Sequence, residues 1–251
     1  MNKLFRHLIL LCLCLVGLSA YAQIDNSQAK IVEQAAYDLG TLCRKNFTVQ
    51  IKSKELSDNL SKLISQKAAA ATGLPVVLTI DSYNLQNKGD GNYSCKISLA
   101  PNTPQKQQLE QMANQQLAGT KFAQALGLFV FWPLKVFATT CVEKRASIKV
   151  VKYSNTHFIF EIGGLNLPGP GKLRVKTARY KLNRKTSRLD ALVFETADAS
   201  QIKLRYSYSG EGKEPVKISA QHSLKDTNIN GIPLPPKFTD FDFVLENYKF
   251  Q

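Results

Sequence analysis

The chain has 251 residues, of which 33 are lysine or arginine and 19 are aspartate or glutamate, giving a formal net charge of +14. Such a field favours anionic partners such as phospholipid headgroups, lipopolysaccharide, acidic polymers or nucleic acid. A basic surface that is merely well hydrated is the alternative. Five cysteines and three histidines are too few and too scattered for a zinc knuckle or a disulfide-dense scaffold.

The first 22 residues have the three parts of a cleavable signal peptide. Lys3 and Arg6 supply the positive start, residues 8–18 the apolar centre, and residues 20–22 the small-x-small cleavage pattern. The apolar run is shorter than the roughly 20 residues that a membrane-spanning helix needs. We therefore expect residues 1–22 to be removed and the protein to be exported, to the periplasm or, alternatively, out of the cell.

Cleavage would change the net charge of the protein and the number of its cysteines. Without Lys3 and Arg6 the 33 basic residues become 31, so the net charge is about +12. Cys43, Cys95 and Cys141 remain, which allows one disulfide in any of three pairings. We expect no metal and no cofactor.

Residues 23–140 are predicted to be mainly helical with one hairpin. Apolar residues recur at helical spacing in two stretches, and a turn-rich segment separates two alternating runs. The predicted helices are 26–43 (capped by Asn26 or Ser27), 53–71, 104–117 and 122–139, and the predicted strands are 47–51, 76–85 and 93–99.

From residue 141 to 251 the periodicity changes to two, which is typical of strands. Short turns between the strands indicate antiparallel neighbours, hence a meander. We predict seven strands at 146–153, 157–163, 172–182, 188–196, 200–208, 215–222 and 239–250. With the helices they would form a single α+β domain over residues 23–251.

The strand at 172–182 indicates strong curvature. Its basic residues alternate with apolar ones, but the alternation shifts by one position between residues 177 and 178. A one-residue bulge would keep all the charges on one face and would sharpen the bend of the sheet. The basic residues are Lys172, Arg174, Lys176, Arg179 and Lys181.

The segment 122–139 is the most apolar part of the mature chain. A helix that is hydrophobic all round must be buried on several sides or face lipid. We interpret it as an apolar plug helix packed on the concave face of the curved sheet, which would leave an apolar cavity suited to acyl chains. Ordinary core packing and a membrane contact are the alternatives.

Motifs of known enzymes are missing. The chain has no Gly-x-Ser-x-Gly sequence, and Ser200-Gln-Ile-Lys203 lacks the companion motifs of the Ser-x-x-Lys enzymes. His157 and His222 are the two histidines outside the signal peptide, and both fit ordinary structural roles. We expect no enzymatic activity, with an exported hydrolase using Ser200 or His222 as a distant alternative.

Closing segments of the chain carry a family resemblance. Tyr180-Lys-Leu-Asn-Arg-Lys-Thr-Ser187, followed by Leu189-Asp-Ala-Leu-Val-Phe194, and Asn230-Gly-Ile-Pro-Leu-Pro235 resemble the final meander of the LolA/LolB-like half-barrel superfamily of envelope lipid and lipoprotein carriers. The resemblance implies a half-barrel with a hydrophobic cavity under helical lids and no catalysis. Those carriers commonly use an inward-facing arginine, and none is assigned here.

These observations favour a non-enzymatic envelope protein that binds or shuttles a lipid or an acylated ligand. The residues expected to line the cavity are Phe129, Phe131, Trp132, Phe158, Phe160, Phe194 and Tyr206. The basic residues of strand 172–182 would bind an anionic membrane surface. The alternative is a structural or adhesive module whose basic sheet face binds an anionic polymer or a partner protein. Nucleic acid is not expected as a partner, and the sequence indicates no oligomeric state.

Overall fold

A computed structural model describes most of the chain. The described residues are 24–73, 77–89, 92–118, 122–168, 174–223, 228–229, 232–233 and 241–251. The predicted signal peptide and Lys172 lie outside them, and so does the side chain of Phe129.

Helix α1 (Asn26–Arg44) begins at a capping box. The Asp25 carboxylate accepts a hydrogen bond from the Gln28 backbone N–H at 2.8 Å, and the Gln28 side chain accepts one from the Asp25 N–H at 3.1 Å. This reciprocal pair satisfies two backbone donors that a helix start otherwise leaves unpaired. The predicted caps, Asn26 and Ser27, were wrong because they already belong to the first turn.

The remaining predicted elements follow in the predicted order. The other α-helices among the described residues are α2 (Lys54–Thr72), α3 (Lys106–Ala118) and α4 (Phe122–Glu143). The first strands are β1 (Phe47–Lys52), β2 (Ile80–Asn87) and β3 (Tyr93–Leu99). After α4 come β4 (Ile148–Tyr153), β5 (His157–Ile162), β6 (Leu167–Pro168), β7 (Arg174–Asn183), β8 (Leu189–Thr196), β9 (Gln201–Tyr208), β10 (Pro215–His222), β11 (Asn228–Ile229), β12 (Ile232–Pro233) and β13 (Phe241–Phe250). The two-residue strands β6, β11 and β12 were not predicted.

One antiparallel sheet contains strands from both halves of the chain. Its order is β3-β2-β1-β13-β10-β9-β8-β7-β5-β4, with β6 added beside β7, and the two ends do not pair with each other among the described strands. The last strand, β13, joins the two halves because it lies between β1 and β10. The fold is therefore the predicted α+β class, with a curved antiparallel meander that stays open.

Strand β7 contains the predicted bulge, slightly earlier than expected. Val175 pairs with Thr196, while Thr177 pairs with Glu195, so β7 advances two residues where β8 advances one. The prediction placed the shift between residues 177 and 178. The consequence is as expected, because Arg174, Lys176 and Arg179 are all exposed while Val175, Ala178 and Tyr180 are buried.

Helix α4 connects distant parts of the sheet across its buried face. Phe131 contacts Phe47 of β1, with ring centroids 5.1 Å apart, whereas Trp132 contacts Phe194 of β8 at 5.4 Å. Strands β1 and β8 are separated by three strands in the sheet order. One helix reaches both because the sheet curves around it. The predicted apolar helix on the concave face is therefore present, and it extends four residues beyond the predicted end at residue 139.

Candidate functional site

The predicted cavity-lining residues lie on the buried face of the sheet and on α4. Phe158, Phe160 and Phe194 are fully buried, Phe131 and Tyr206 are nearly so, and Trp132 is half-buried. Phe158 contacts Phe160 at 5.0 Å, and Trp132 contacts Phe194. These rings therefore pack against one another where a bound chain was expected.

Two aromatic residues that sequence reasoning did not select connect this cluster. Tyr180 of β7 lies at the centre, with its ring 5.3 Å from Phe160, 5.0 Å from Phe137 and 6.5 Å from Phe194. Phe137 brings α4 onto Tyr180 edge-on. The alternation of β7 already placed Tyr180 on the inner face, and that pattern was the available signal.

Phe131 lies in a separate group of rings. It packs against Phe47 and stacks on Tyr93 at 6.3 Å, on the side of α4 that faces β1 and β3. The structure thus divides the predicted lining into two parts, one on each side of the helix. Trp132, Phe158, Phe160 and Phe194 form one part, and Phe131 belongs to the other.

Tyr206 has an unusual environment among the buried tyrosines. Its hydroxyl is buried and makes no hydrogen bond with any of the described residues. Burial raises the pKa of the Tyr206 phenol well above 10. The hydroxyl therefore stays protonated and can donate one hydrogen bond. By contrast, the Tyr208 hydroxyl donates to the Leu189 carbonyl at 3.0 Å, and the Tyr180 hydroxyl lies 3.2 Å from that of Thr140.

A pocket lies beside Tyr208, the other tyrosine of β9. It has a volume of about 250 Å³ and lies between α1 and the turns that follow β7 and β9. Tyr208 and Leu189 line it, and Tyr208 follows Tyr206 by two residues on the same strand. Lys213 and Asp38, which form an ion pair at 2.7 Å, lie on its rim.

The four described members of the predicted anionic-surface site share the outer face of the sheet. We call Arg174, Lys176, Arg179 and Lys181 the basic stripe. Arg179 is bound to Glu161 at 2.7 Å, which neutralises part of its charge. Strand β9 adds two more basic residues to this face. Lys203 lies in the same cross-strand row as Arg179, with Val193 of β8 between them. Arg205 lies in the row of Lys181, with Ala191 of β8 between them. The basic surface is therefore wider than the one strand that the sequence indicated.

Ser200 and His222, the two residues of the hydrolase alternative, lie before β9 and at the end of β10. The Ser200 hydroxyl donates to the Asp198 carboxylate at 3.0 Å within the turn between β8 and β9. His222 lies on β10 opposite Ile202, and burial lowers its pKa.

A second groove lies on the other side of the helices. It has a volume of about 540 Å³ and runs between α1 and α4, over the point where Gly40 and Ala138 bring the two helices together. Cys43 and Val142 are among the residues that line it. Cys43, Cys95 and Cys141 are all free thiols in this structure.

Across the described part of the chain, no three His, Cys, Asp or Glu side chains are grouped as metal ligands. Among the same residues, no helix combines the length and the apolar character that crossing a bilayer would require.

No protein-family profile matches the chain, and no curated protein matches it by sequence. Among solved structures, the crystal structure of the LolA superfamily protein NE2245 from Nitrosomonas europaea is similar over 88% of this chain and 92% of that one. The identity is 12% and the TM-score is 0.41. A likeness of this size shows neither a ligand nor an activity.

Proposed function

We propose that this protein is an exported, non-enzymatic protein of the cell envelope that binds a lipid or an acylated ligand between α4 and the concave face of the sheet. The acyl chain would lie against Phe158, Phe160 and Phe194. It would displace Trp132 and its neighbours on α4, whose side chains occupy that space in the structure described here.

The observation that carries this proposal is the unpartnered hydroxyl of Tyr206. A buried tyrosine hydroxyl ordinarily has a hydrogen-bond partner, and leaving one unsatisfied costs about 1–3 kcal/mol. None of the described residues supplies that partner. A carbonyl oxygen of an ester, an amide or a carboxylic acid would accept the bond, and each of these groups adjoins the acyl chain in lipids and acylated proteins.

The contacts that hold α4 in place suit a displaceable lid. Trp132 and Phe137 meet the sheet edge-on through Phe194 and Tyr180. Aromatic pairs of this kind contribute about 0.5–1.5 kcal/mol each beyond the area that they bury. An acyl chain would offer the exposed rings an equivalent apolar surface. Replacing the contacts with α4 by contacts with an acyl chain would therefore not leave the apolar residues of the sheet in water.

The basic stripe supports a role at a membrane surface. Lys176, Lys181 and Arg205 form no ion pair among the described residues, and Arg174 is exposed at the start of β7. Basic residues near an anionic membrane contribute about 1 kcal/mol each. We propose that this face brings the protein to anionic headgroups.

Native mass spectrometry of protein purified without detergent tests the proposal. We expect a lipid-sized adduct on the wild-type protein, a reduced adduct on Tyr206→Phe, and an unchanged adduct on Tyr208→Phe. The Tyr208 variant is a matched control because Tyr208 lies on the same strand as Tyr206 and its hydroxyl already binds the Leu189 carbonyl of β8. Absence of any adduct from the wild-type protein, after incubation with envelope lipids, would contradict the proposal.

The width of the basic outer face favours one alternative, an adhesive module that binds an anionic polymer. Under that alternative, polyanion binding would weaken steeply with salt, and no lipid would be taken up. Reversing the charges of Lys203 and Arg205 would abolish polymer binding. The lipid-binding proposal predicts that the same double variant still carries the lipid adduct.

A further inference from the structure

The groove between α1 and α4 has the features of a second ligand site. Its volume of about 540 Å³ falls in the range of small-molecule sites, roughly 300–1,000 Å³. It lies on a different stripe of α4 from the side chains that face the sheet, because Lys135, Ala138 and Val142 line it while Leu134, Phe137 and Cys141 are buried. A ligand in the groove would therefore contact other residues of α4 than a ligand in the interior described above.

The walls of the groove expose apolar surface on both helices. Tyr37 of α1 is 66% exposed and Val142 of α4 is 67% exposed, and both are among the most exposed large apolar residues described in the chain. Ala36, Gly40 and Ala138 form the space between them. An apolar patch bordered by charged residues is typical of a binding surface.

One end of the groove is positively charged. Arg44 and Lys135 line that end, where the Arg44 guanidinium extends back along α1 to Gly40, and neither forms an ion pair among the described residues. Burial raises the pKa of the Cys43 thiol to about 12, while the charges of Lys135 and Arg44 oppose that rise. The two cations therefore act on the same point of the groove, although they lie 91 positions apart in the sequence.

The opposite end carries the acidic residues. Glu143 is eight residues beyond Lys135 on α4, which is about 12 Å along a helix. Glu33 lies at the same end and is bound to Arg145. The groove thus has a basic end that reaches Gly40, exposed apolar side chains at Tyr37 and Val142, and an acidic end whose charge is partly neutralised.

We propose that this groove binds a single-chain fatty acid, with its carboxylate between Arg44 and Lys135 and its chain along Tyr37 and Val142. An arginine guanidinium matches a carboxylate in geometry, and an ammonium group adds a point charge. The acidic end disfavours the reverse orientation, because it would repel the carboxylate. This site is separate from the interior site of the proposed function and does not depend on it.

Oleate binding, measured by equilibrium dialysis below its micelle concentration, tests this site with two double variants of equal charge change. Arg44→Glu with Lys135→Glu should weaken oleate binding about ten-fold or more, because the charged partner is replaced by repulsion. Lys30→Glu with Lys144→Glu, two exposed positions on or next to the same helices, should change it less than about two-fold. A third variant, Val142→Asp, alters an exposed position and should weaken binding without affecting the fold.

Cys43 provides a readout that locates the ligand. Oleate at saturation should slow the alkylation of Cys43, followed by peptide mass spectrometry, and Tyr206→Phe should leave this protection unchanged. Equal oleate affinities of the two double variants would overturn the proposal. Unaltered alkylation of Cys43 at saturating oleate would overturn it as well. Both results would leave the interior site unaffected, since that site is tested by Tyr206→Phe.

Discussion

Trp132 meets Phe194 edge-on, with 5.4 Å between ring centroids, and this pair joins the apolar helix α4 to strand β8 of the open sheet. Trp132 stays half-buried, whereas Phe194 is fully buried. The pair thus lies at the boundary between the covered interior and the surface. Any ligand that enters between helix and sheet on this side must separate the two rings.

The Trp132–Phe194 contact should be measurable as a coupling energy. In a double-mutant cycle of Trp132→Ala and Phe194→Ala, we expect an interaction of about 0.5–1.5 kcal/mol in the free energy of unfolding, measured with urea. The same cycle of Trp132→Ala with Tyr153→Ala should give additive effects. Tyr153 lies on the edge strand β4, and its ring packs against Phe158 rather than against Trp132. Additivity in the first cycle would show that the pair does not hold α4 to the sheet.

The two tyrosines of β9 should respond oppositely to loss of the hydroxyl. Tyr206→Phe should raise the free energy of unfolding of the ligand-free protein by about 1 kcal/mol, because it removes a buried donor that has no partner among the described residues. Tyr208→Phe should lower it by about 1 kcal/mol, because the bond to the Leu189 carbonyl is lost. Urea unfolding midpoints measure both changes. A loss of stability in Tyr206→Phe equal to that in Tyr208→Phe would mean that the Tyr206 hydroxyl is bonded in the folded protein.

Gly127 should not tolerate a side chain, because α4 packs closely on Tyr93 there. A Cβ at position 127 would lie 2.2–2.5 Å from three atoms of the Tyr93 ring. Gly127→Ala should therefore destabilise the protein by about 1–3 kcal/mol, although alanine is the better helix former. In a Tyr93→Val background the same change should be neutral or stabilising. Thermal unfolding of the four proteins tests this, and a gain of stability in the wild-type background would contradict the close packing.

The reactivity of Cys43 should depend strongly on pH and on folding. Burial raises its pKa to about 12, so the thiol is protonated and unreactive at neutral pH. At pH 8 we expect alkylation in the native protein to be on the order of a thousand-fold slower than in denaturant, and to accelerate as the pH rises toward 12. Lys135→Gln should slow it further, because the lysine charge favours the thiolate. An alkylation rate in the native protein equal to that in denaturant would show that the Cys43 thiol is not buried and that its pKa is not raised.

The sequence predicted the elements better than their ends. Strand β10 was predicted at its observed bounds, and the alternation of β7 correctly indicated a bulge. Helix α4 was predicted to end at Thr139, the last residue of the most apolar stretch. Thr140 continues the helix since its hydroxyl bonds the Val136 carbonyl and lies 3.2 Å from the Tyr180 hydroxyl, which is a tertiary contact.

The first hairpin strand was predicted to start at residue 76 but starts at Ile80. The Leu78 and Ile80 N–H groups donate to the hydroxyls of Ser65 and Ser61 on α2. These bonds join the segment to a helix before it enters the sheet. No local pattern shows such a partner, so sequence periodicity placed the strand too early.

The pairing of β1 with β13 could not be predicted. The paired residues lie about 200 positions apart in the sequence, and the pattern of a short strand does not indicate which strand it pairs with. The same holds for the groove between α1 and α4, where Arg44 and Lys135 meet. The inward orientation of the aromatic residues on the strands was predictable from the alternation. The division of the aromatic lining between the two sides of α4 depends on how the helix crosses the sheet, which only the assembled structure shows.

The central claim, that an acyl chain binds between α4 and the concave sheet, is tested most directly by the fluorescence of Trp132, the only tryptophan in the chain. The protein would be titrated with phosphatidylcholine carrying bromine on one acyl chain, and with the same lipid without bromine as the control. Bromine quenches tryptophan on contact, so we predict that only the brominated lipid lowers the emission, and that the loss persists in the Arg44→Glu with Lys135→Glu variant. Equal emission with the two lipids at saturation would contradict the claim.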